Sequence, residues 1–374
     1  MIIGVLQEPA FETRVSLLPE AVAALTKKGI TIYVETGAGV KASAADEDYR
    51  QAGAQLKSAA EIITDSSIIC SIHPPDPTLL IPASLVLIGI YQPLFNFQQM
   101  ATWAAAGITS FSLDMLPRTT RAQSMDVLSS QANIAGYKAV LHAANIFPKY
   151  LPMFMTAAGS IPPAKVLILG AGVAGLQAIA TARRLGAVVE VFDTRPAVKE
   201  EVMSLGAKFI EVEGAADASK GGGYAVEQTA DFLQKQKEKI AASIAKADIV
   251  ITTAQIPGKL APVLVSTPMI AAMKKGSVII DLAAATGGNT ALTKNNETIL
   301  YNGISIVGNS SLASTMPSDA SKLYGKNVQN FLQLIIDKEV KLHLNWEDDL
   351  VKGSCITHGG AVMNDKVKAL IGIK

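Results

Sequence analysis

Only two cysteines, Cys70 and Cys355, occur in 374 residues. That is too few for a disulfide scaffold or a cysteine-built zinc cluster, and it fits a reducing compartment. Neither sign of charge is in excess: 33 basic against 32 acidic residues leave a formal net charge of +1. Such a balance argues against a nucleic-acid binder or a polybasic membrane surface. Long apolar runs are missing as well. The longest, around Leu79 to Tyr91, is interrupted by Pro82 and falls short of the roughly 20 residues a membrane helix needs. No basic segment precedes the apolar start Met1–Leu6, and Glu8 follows at once, so no targeting signal is expected. A chain with 49% hydrophobic and 17% charged residues is not disordered. Its length allows two domains with sizeable cores. The expectation is a protein that is soluble and cytoplasmic on its own.

What is present is alternation. Short β-branched runs, Ile2–Leu6, Thr31–Glu35, Ser67–Ile72, Leu85–Tyr91 and Ile108–Leu113, alternate with helical patterns such as Pro19–Lys28. A second series follows, with Lys165–Leu169, Ala187–Phe192, Ala207–Val212, Asp248–Thr252, Ser277–Asp281 and Ile304–Val307. Strands with little internal polarity, separated by helices, indicate parallel sheets covered on both faces. Two long helical stretches, about Ala122 to Asn145 and Ser318 to Asp337, divide the series. Gly136 weakens the first of them. The expected fold is α/β, with two Rossmann-like doubly wound parallel-sheet domains joined by long helices. One domain is discontinuous, residues 1–126 plus 312–374, and the other, residues 127–311, is inserted into it.

The sharpest motif is Gly170-Ala171-Gly172-Val173-Ala174-Gly175, placed after the strand Lys165–Leu169 and opening a helix. Gly170 permits the tight turn, Gly172 lets the backbone approach a pyrophosphate, and Gly175 allows the helix to pack on the strand. The diphosphate would then lie on a helix N-terminus, where free N–H groups and the dipole favour an anion. A lone glycine pattern of this kind can be a bare turn. Here Asp193 also falls at the end of the next strand, where a carboxylate accepts ribose hydroxyls and repels a 2′-phosphate, so NAD(H) is favoured over NADP(H). Arg195 is ambiguous: it could recruit that phosphate or be a solvated charge at a helix start. The small, glycine-rich stretch Gly214–Tyr224 reads by composition as a flexible loop, and its terminal aromatic also allows a lid.

The segment Pro117-Arg118-Thr119-Thr120-Arg121-Ala122-Gln123-Ser124-Met125-Asp126, continuing through Ser129, Ser130 and Gly136-Tyr137, resembles the α subunit of proton-translocating NAD(P) transhydrogenases. Met155–Gly159, Gly170–Gly186, Gly222–Ala225 and Ile256–Lys259 agree with it, and the likeness runs in order along the chain. The family also holds alanine dehydrogenase, which shares the Arg14-Val15-Ser16 segment. The resemblance implies a separate NAD(H)-binding component, cytoplasmic and peripheral to the inner membrane through membrane-embedded partner subunits. NADP(H) would be held by a partner domain, and a homodimer is expected. It further implies that Arg118, Gln123, Asp126 and Ser129 meet the nicotinamide. Their spacing lets Gln123, Asp126 and Ser129 share a helical face; by themselves they are equally an ordinary polar helix start. Gly170, Gly172, Val173, Ala174, Gly175, Asp193, Arg195, Gly223, Tyr224, Gln236, Ala254 and Gln255 are carried over as cofactor-contacting positions, with Tyr224 on a mobile loop.

What an amino-acid dehydrogenase needs is absent. Oxidative deamination requires a general base and a carboxylate clamp, but the only histidines are His73, His142, His343 and His358. His73 stands where alanine dehydrogenases place a lysine, Gly89-Ile90-Tyr91-Gln92 where they place a histidine, and Ala285 where an acid is usual. Hydride passing directly between two nicotinamide rings needs no such base. It needs the rings held at roughly 3–3.5 Å.

Overall fold

Runs of Val, Ile and Leu too short for helices form strands buried on both faces. Val166, Leu167, Ile168 and Leu169 are each 2% exposed or less. The computed structural model describes residues 1–212 and 229–373, and these divide into two units, residues 1–131 with 314–374 and residues 132–313.

In the terminal unit, β1 (Ile2–Val5), β2 (Thr31–Glu35), β3 (Gln55–Lys57), β4 (Ile68–Cys70), β5 (Val86–Gly89) and β6 (Thr109–Ser112) pair in parallel in the order β3-β2-β1-β4-β5-β6. In the inserted unit, a hairpin of β7 (Phe154–Thr156) and β8 (Gly159–Ile161) precedes the main sheet. That sheet contains β9 (Lys165–Leu169), β10 (Val188–Phe192), β11 (Lys208–Phe209), β12 (Ile249–Thr252), β13 (Val278–Asp281), β14 (Thr298–Tyr301) and β15 (Ile304–Val307), in the order β11-β10-β9-β12-β13-β15-β14. Both sheets reverse direction beside their first strand, at β1/β4 and at β9/β12. Open α/β sheets bind ligands at the carboxyl ends of such a switch point.

Neither sheet is wholly parallel. β14 runs antiparallel to β15, and β16 (Cys355–His358) and β17 (Ala361–Val362) extend the terminal sheet antiparallel beyond β6. These strands, with β3 and the β7–β8 hairpin, are absent from the sequence expectation. The reason is positional: most lie at edges or outside the main sheets, where one face meets solvent and the apolar run that signals a central strand is lost.

The first long helix is Val127–Ile146, shorter at its start than expected because residues Thr120–Met125 form a 3-10 turn. Gly136 is well placed in it. A Cβ there would collide with the carbonyl oxygen of Ala174, so the residue that weakens the helix allows its close approach to the Val173–Arg184 helix. The second, Pro317–Ile335, begins inside the terminal unit and sends Tyr324, Val328, Phe331, Leu332 and Ile335 into that unit's core. In the inserted unit the β7–β8 hairpin leaves Met153, Phe154, Met155 and Ile161 exposed, with Tyr150 stacked on Phe154 at 5.2 Å.

Candidate functional site

The glycine turn is built at the β9/β12 switch point. Gly170 leaves β9 with a φ of +107°, a left-handed conformation that any side chain would strain. A Cβ on Gly175 would strike the Gly170 carbonyl, whereas one on Gly172 would enter open space. Gly172 caps the Val173–Arg184 helix without a side-chain hydrogen bond. The first turn therefore offers backbone N–H groups on an open face, with Val173 exposed and Ala174 half-buried. That is the geometry a diphosphate requires.

Asp193 follows β10, and its side chain is only 6% exposed. Its Oδ2 accepts the Ala171 N–H at 2.7 Å, joining the acid to the glycine turn. Arg195 is not the solvated charge considered from sequence. Its own N–H and its Nε donate to Asp193 Oδ1 at 2.8 and 2.9 Å, while Nη2 donates to Oδ2 at 2.8 Å. The bond to Asp193 holds the guanidinium above its ordinary range.

Across the switch point, the hydroxyl of Thr253 donates to the Gly170 carbonyl at 3.2 Å. Ala254 is fixed through Asn289, which accepts its N–H at 3.0 Å and donates to its carbonyl at 2.8 Å. Asn289 is itself seated by Asp281, a fully buried acid that accepts N–H groups of Ala283, Asn289 and Thr290 and the Thr293 hydroxyl. Sequence reading passes over Asn289; the only signal is its position after the paired glycines Gly287-Gly288. Gln255 is exposed and its Nε2 donates to the Leu282 carbonyl at 2.9 Å. Gln236 lies buried in the Ala230–Ile244 helix, with its carboxamide oxygen unpartnered among the described residues. Gly223 and Tyr224, and most of the expected lid, lie outside the described residues.

The other candidate cluster belongs to the terminal unit. Ala122 and Met125 turn inward to its core while Arg118 and Gln123 stay exposed. The Ser124 carbonyl accepts Asn327 Nδ2 at 2.8 Å and Asn330 Nδ2 at 2.9 Å, and Arg121 pairs with Asp348 and Asp349. The turn is thus held from behind and presents polar groups outward. The expectation of one shared helical face is corrected here, because the helix starts only at Val127. Asp126 precedes it and caps it: Oδ1 accepts the Ser129 N–H at 2.9 Å and Oδ2 accepts the Ser129 hydroxyl at 2.6 Å.

At the β1/β4 switch point of the same unit, Glu8 occupies the corresponding place. Its carboxylate accepts the N–H groups of Ile72 and His73 at 2.5 and 3.0 Å. Glu12 receives Arg14 in a fork (Nε to Oε1, 2.9 Å; Nη2 to Oε2, 2.7 Å) and lies 2.8 Å from His73 Nε2. Burial pushes Glu12 upward, but the bonds from Arg14 and His73 outweigh it and hold the acid well below its usual range. For Glu8 burial prevails over the two backbone bonds and raises it to about 7. A carboxyl raised on folding favours the native state fully below its unfolded value near 4.5, and that contribution is lost as pH rises through about 7. Glu8→Gln should remove this slope. Between pH 5.5 and 8.5 the variant is expected to gain about 2 kcal/mol relative to the parent, measured by urea unfolding at both values. Parallel pH profiles would refute the assignment.

Two doubly wound sheets, one bearing a glycine turn with an acid at the next strand end, define a protein of the dinucleotide-binding α/β class. The chain belongs to the alanine dehydrogenase/PNT family: the N-terminal domain matches residues 4–135 and the C-terminal domain residues 139–365. It is 45% identical over 364 residues to the first of the separate chains that make up NAD(P) transhydrogenase subunit alpha in Rhodospirillum rubrum, covering 94% of this chain and 95% of that one. The transhydrogenase structure from Sinorhizobium meliloti matches with a TM-score of 0.88 and 45% identity over 97% of this chain and 100% of that one. Alanine dehydrogenase of Mycobacterium tuberculosis is 25% identical over 97% of this chain and 94% of its own.

Proposed function

We propose that the chain is the NAD(H)-binding component of an NAD(P) transhydrogenase, passing hydride directly between NAD(H) and an NADP(H) held by a partner domain. The observation that carries this reading is the likeness along nearly the whole chain to the Rhodospirillum rubrum subunit, with a glycine turn whose only unfilled Cβ direction is at Gly172 on the diphosphate face. Gly170, Gly172, Val173, Ala174 and Gly175 would cradle the diphosphate. Asp193, with Arg195 beside it, would read the ribose, and Ala254, Gln255, Gln236, Gly223 and Tyr224 would complete the cofactor contacts. Bound NAD(H) supplies or accepts the hydride. Arg118, Gln123, Asp126 and Ser129 would hold the carboxamide and ribose through directed hydrogen bonds. Proton movement would fall to membrane-embedded partner subunits, which would also bring the chain to the cytoplasmic side of the inner membrane; no described helix is long and apolar enough to cross one. A homodimer belongs to the proposal, and the exposed apolar hairpin at residues 153–161 offers surface for it.

The competing reading, an amino-acid dehydrogenase, needs a free cation for the substrate carboxylate and a base for its amine. In the Glu8–His73 cluster, Arg14 and His73 are both committed to Glu12, which favours the first reading. Purified chain should bind NADH and form no NADH from alanine. Mixed with an NADP(H)-binding transhydrogenase domain, it should pass hydride to an NAD analogue without a membrane. Robust alanine-dependent NADH formation by the chain alone would overturn the proposal.

A further inference from the structure

A carboxylate offers about four acceptor positions, and at Asp193 all four are taken. Two donors come from the backbone, Ala171 N–H on Oδ2 and Arg195 N–H on Oδ1. The other two come from a single guanidinium, Nε on Oδ1 and Nη2 on Oδ2. A ribose cis-diol also brings two donors, so it can replace that fork one for one while leaving both backbone bonds in place. Building on the dinucleotide reading of this site, we propose that Arg195 is a latch on the ribose acceptor. NAD(H) binds by displacing its guanidinium from Asp193, and the fork thereby sets both affinity and the choice between NAD(H) and NADP(H).

Two consequences have opposite signs for the two nucleotides. The fork competes with the diol, because fork and diol need the same lone pairs, so Arg195 weakens NADH binding. It also neutralises Asp193, and so softens the repulsion that a bare carboxylate would exert on a 2′-phosphate. A displaced guanidinium remains near the ribose as a cation, which further favours that phosphate. Arg195 therefore narrows a selectivity that Asp193 alone would make wide. For a subunit that must release its nucleotide in every turnover, a reversible internal competitor also hastens departure.

The test uses the full chain with Arg195→Ala and Arg195→Lys, titrated with NADH and NADPH by nucleotide fluorescence. Thermal unfolding checks that each variant folds. Arg195→Ala should bind NADH about fivefold more tightly, since a charge-assisted fork no longer competes, and NADPH no more tightly than the parent. The NADH-over-NADPH preference should therefore widen. Arg195→Lys keeps the positive charge without the planar fork. It should tighten NADH while holding the preference near that of the parent, which separates lost competition from lost charge. Weaker NADH binding by both variants would make Arg195 a direct ligand contact and overturn the latch while leaving the site intact. Unchanged affinity and preference in folded variants would also overturn it. If the parent itself bound no NADH, the dinucleotide reading and the latch would fall together.

Discussion

Replacing Gly175 with alanine is expected to weaken NADH binding by about a hundredfold, since forcing a methyl into a packed turn costs on the order of 1–3 kcal/mol and displaces the N–H groups that hold the ligand. The added Cβ meets the Gly170 carbonyl, a backbone atom that cannot swing aside. Relief requires the Val173–Arg184 helix to move off β9, taking the cradle with it. The unfolding temperature should fall as well. Gly172→Ala provides the contrast. Its Cβ enters open space, so thermal stability should hardly change, while the methyl stands where a diphosphate must approach the backbone. Loss of binding without loss of stability in Gly172→Ala, and loss of both in Gly175→Ala, is the pattern expected from fluorescence titration and thermal unfolding. Parent-like NADH affinity in Gly172→Ala would remove the turn from the site.

The second large effect is expected in hydride transfer. Gln123→Ala should lower transfer to a partner-bound nucleotide by about a hundredfold, the scale set by a misplaced reacting group. NADH affinity should change less than about threefold, because the diphosphate and ribose contacts carry binding. Gln123 is exposed on a turn pinned through Ser124 to Asn327 and Asn330, so its loss should leave the turn standing. Asp126 needs a finer comparison, since it also caps a helix. Asp126→Ala removes the cap and should cost about 1 kcal/mol of stability. Asp126→Asn keeps an acceptor for the Ser129 N–H and loses only the charge, so it should be stable and still transfer poorly. Parent-like transfer by Asp126→Asn would reduce Asp126 to its capping role. Single-turnover kinetics with the NADP(H)-binding domain would make both measurements.

The parts of the fold that bury apolar surface on both faces were legible in the sequence, because β9, β12 and β13 are runs of Val, Ile and Leu with no other explanation at that length. The glycine turn was legible for a related reason: Gly170 and Gly175 stand where the backbone conformation or contact excludes every other residue. Edge strands such as Gln55–Lys57 were not, since their pairing is decided by a neighbour and not by their own pattern. Side-chain commitments were the least legible. Arg195 two residues after Asp193 fits a free cation or a closed fork, and only the curl of the backbone after β10 decides it. Asn289 carries no motif at all; its role arises because Asp281 fixes the loop that brings it to Ala254. Asp126 and Ser129 were singled out for the chemistry of a nicotinamide, yet their spacing is also that of a cap and the residue it holds.

The two sheets share one winding order but treat their switch points differently. In the inserted unit that point ends in glycines. In the terminal unit a side chain of the same chain, Glu8, already binds the N–H groups of Ile72 and His73. A twofold architectural repeat therefore keeps a single receptive crevice. Saturation should come at one equivalent of NADH per polypeptide, whatever the assembly state, and a second equivalent should find no counterpart in the duplicated half.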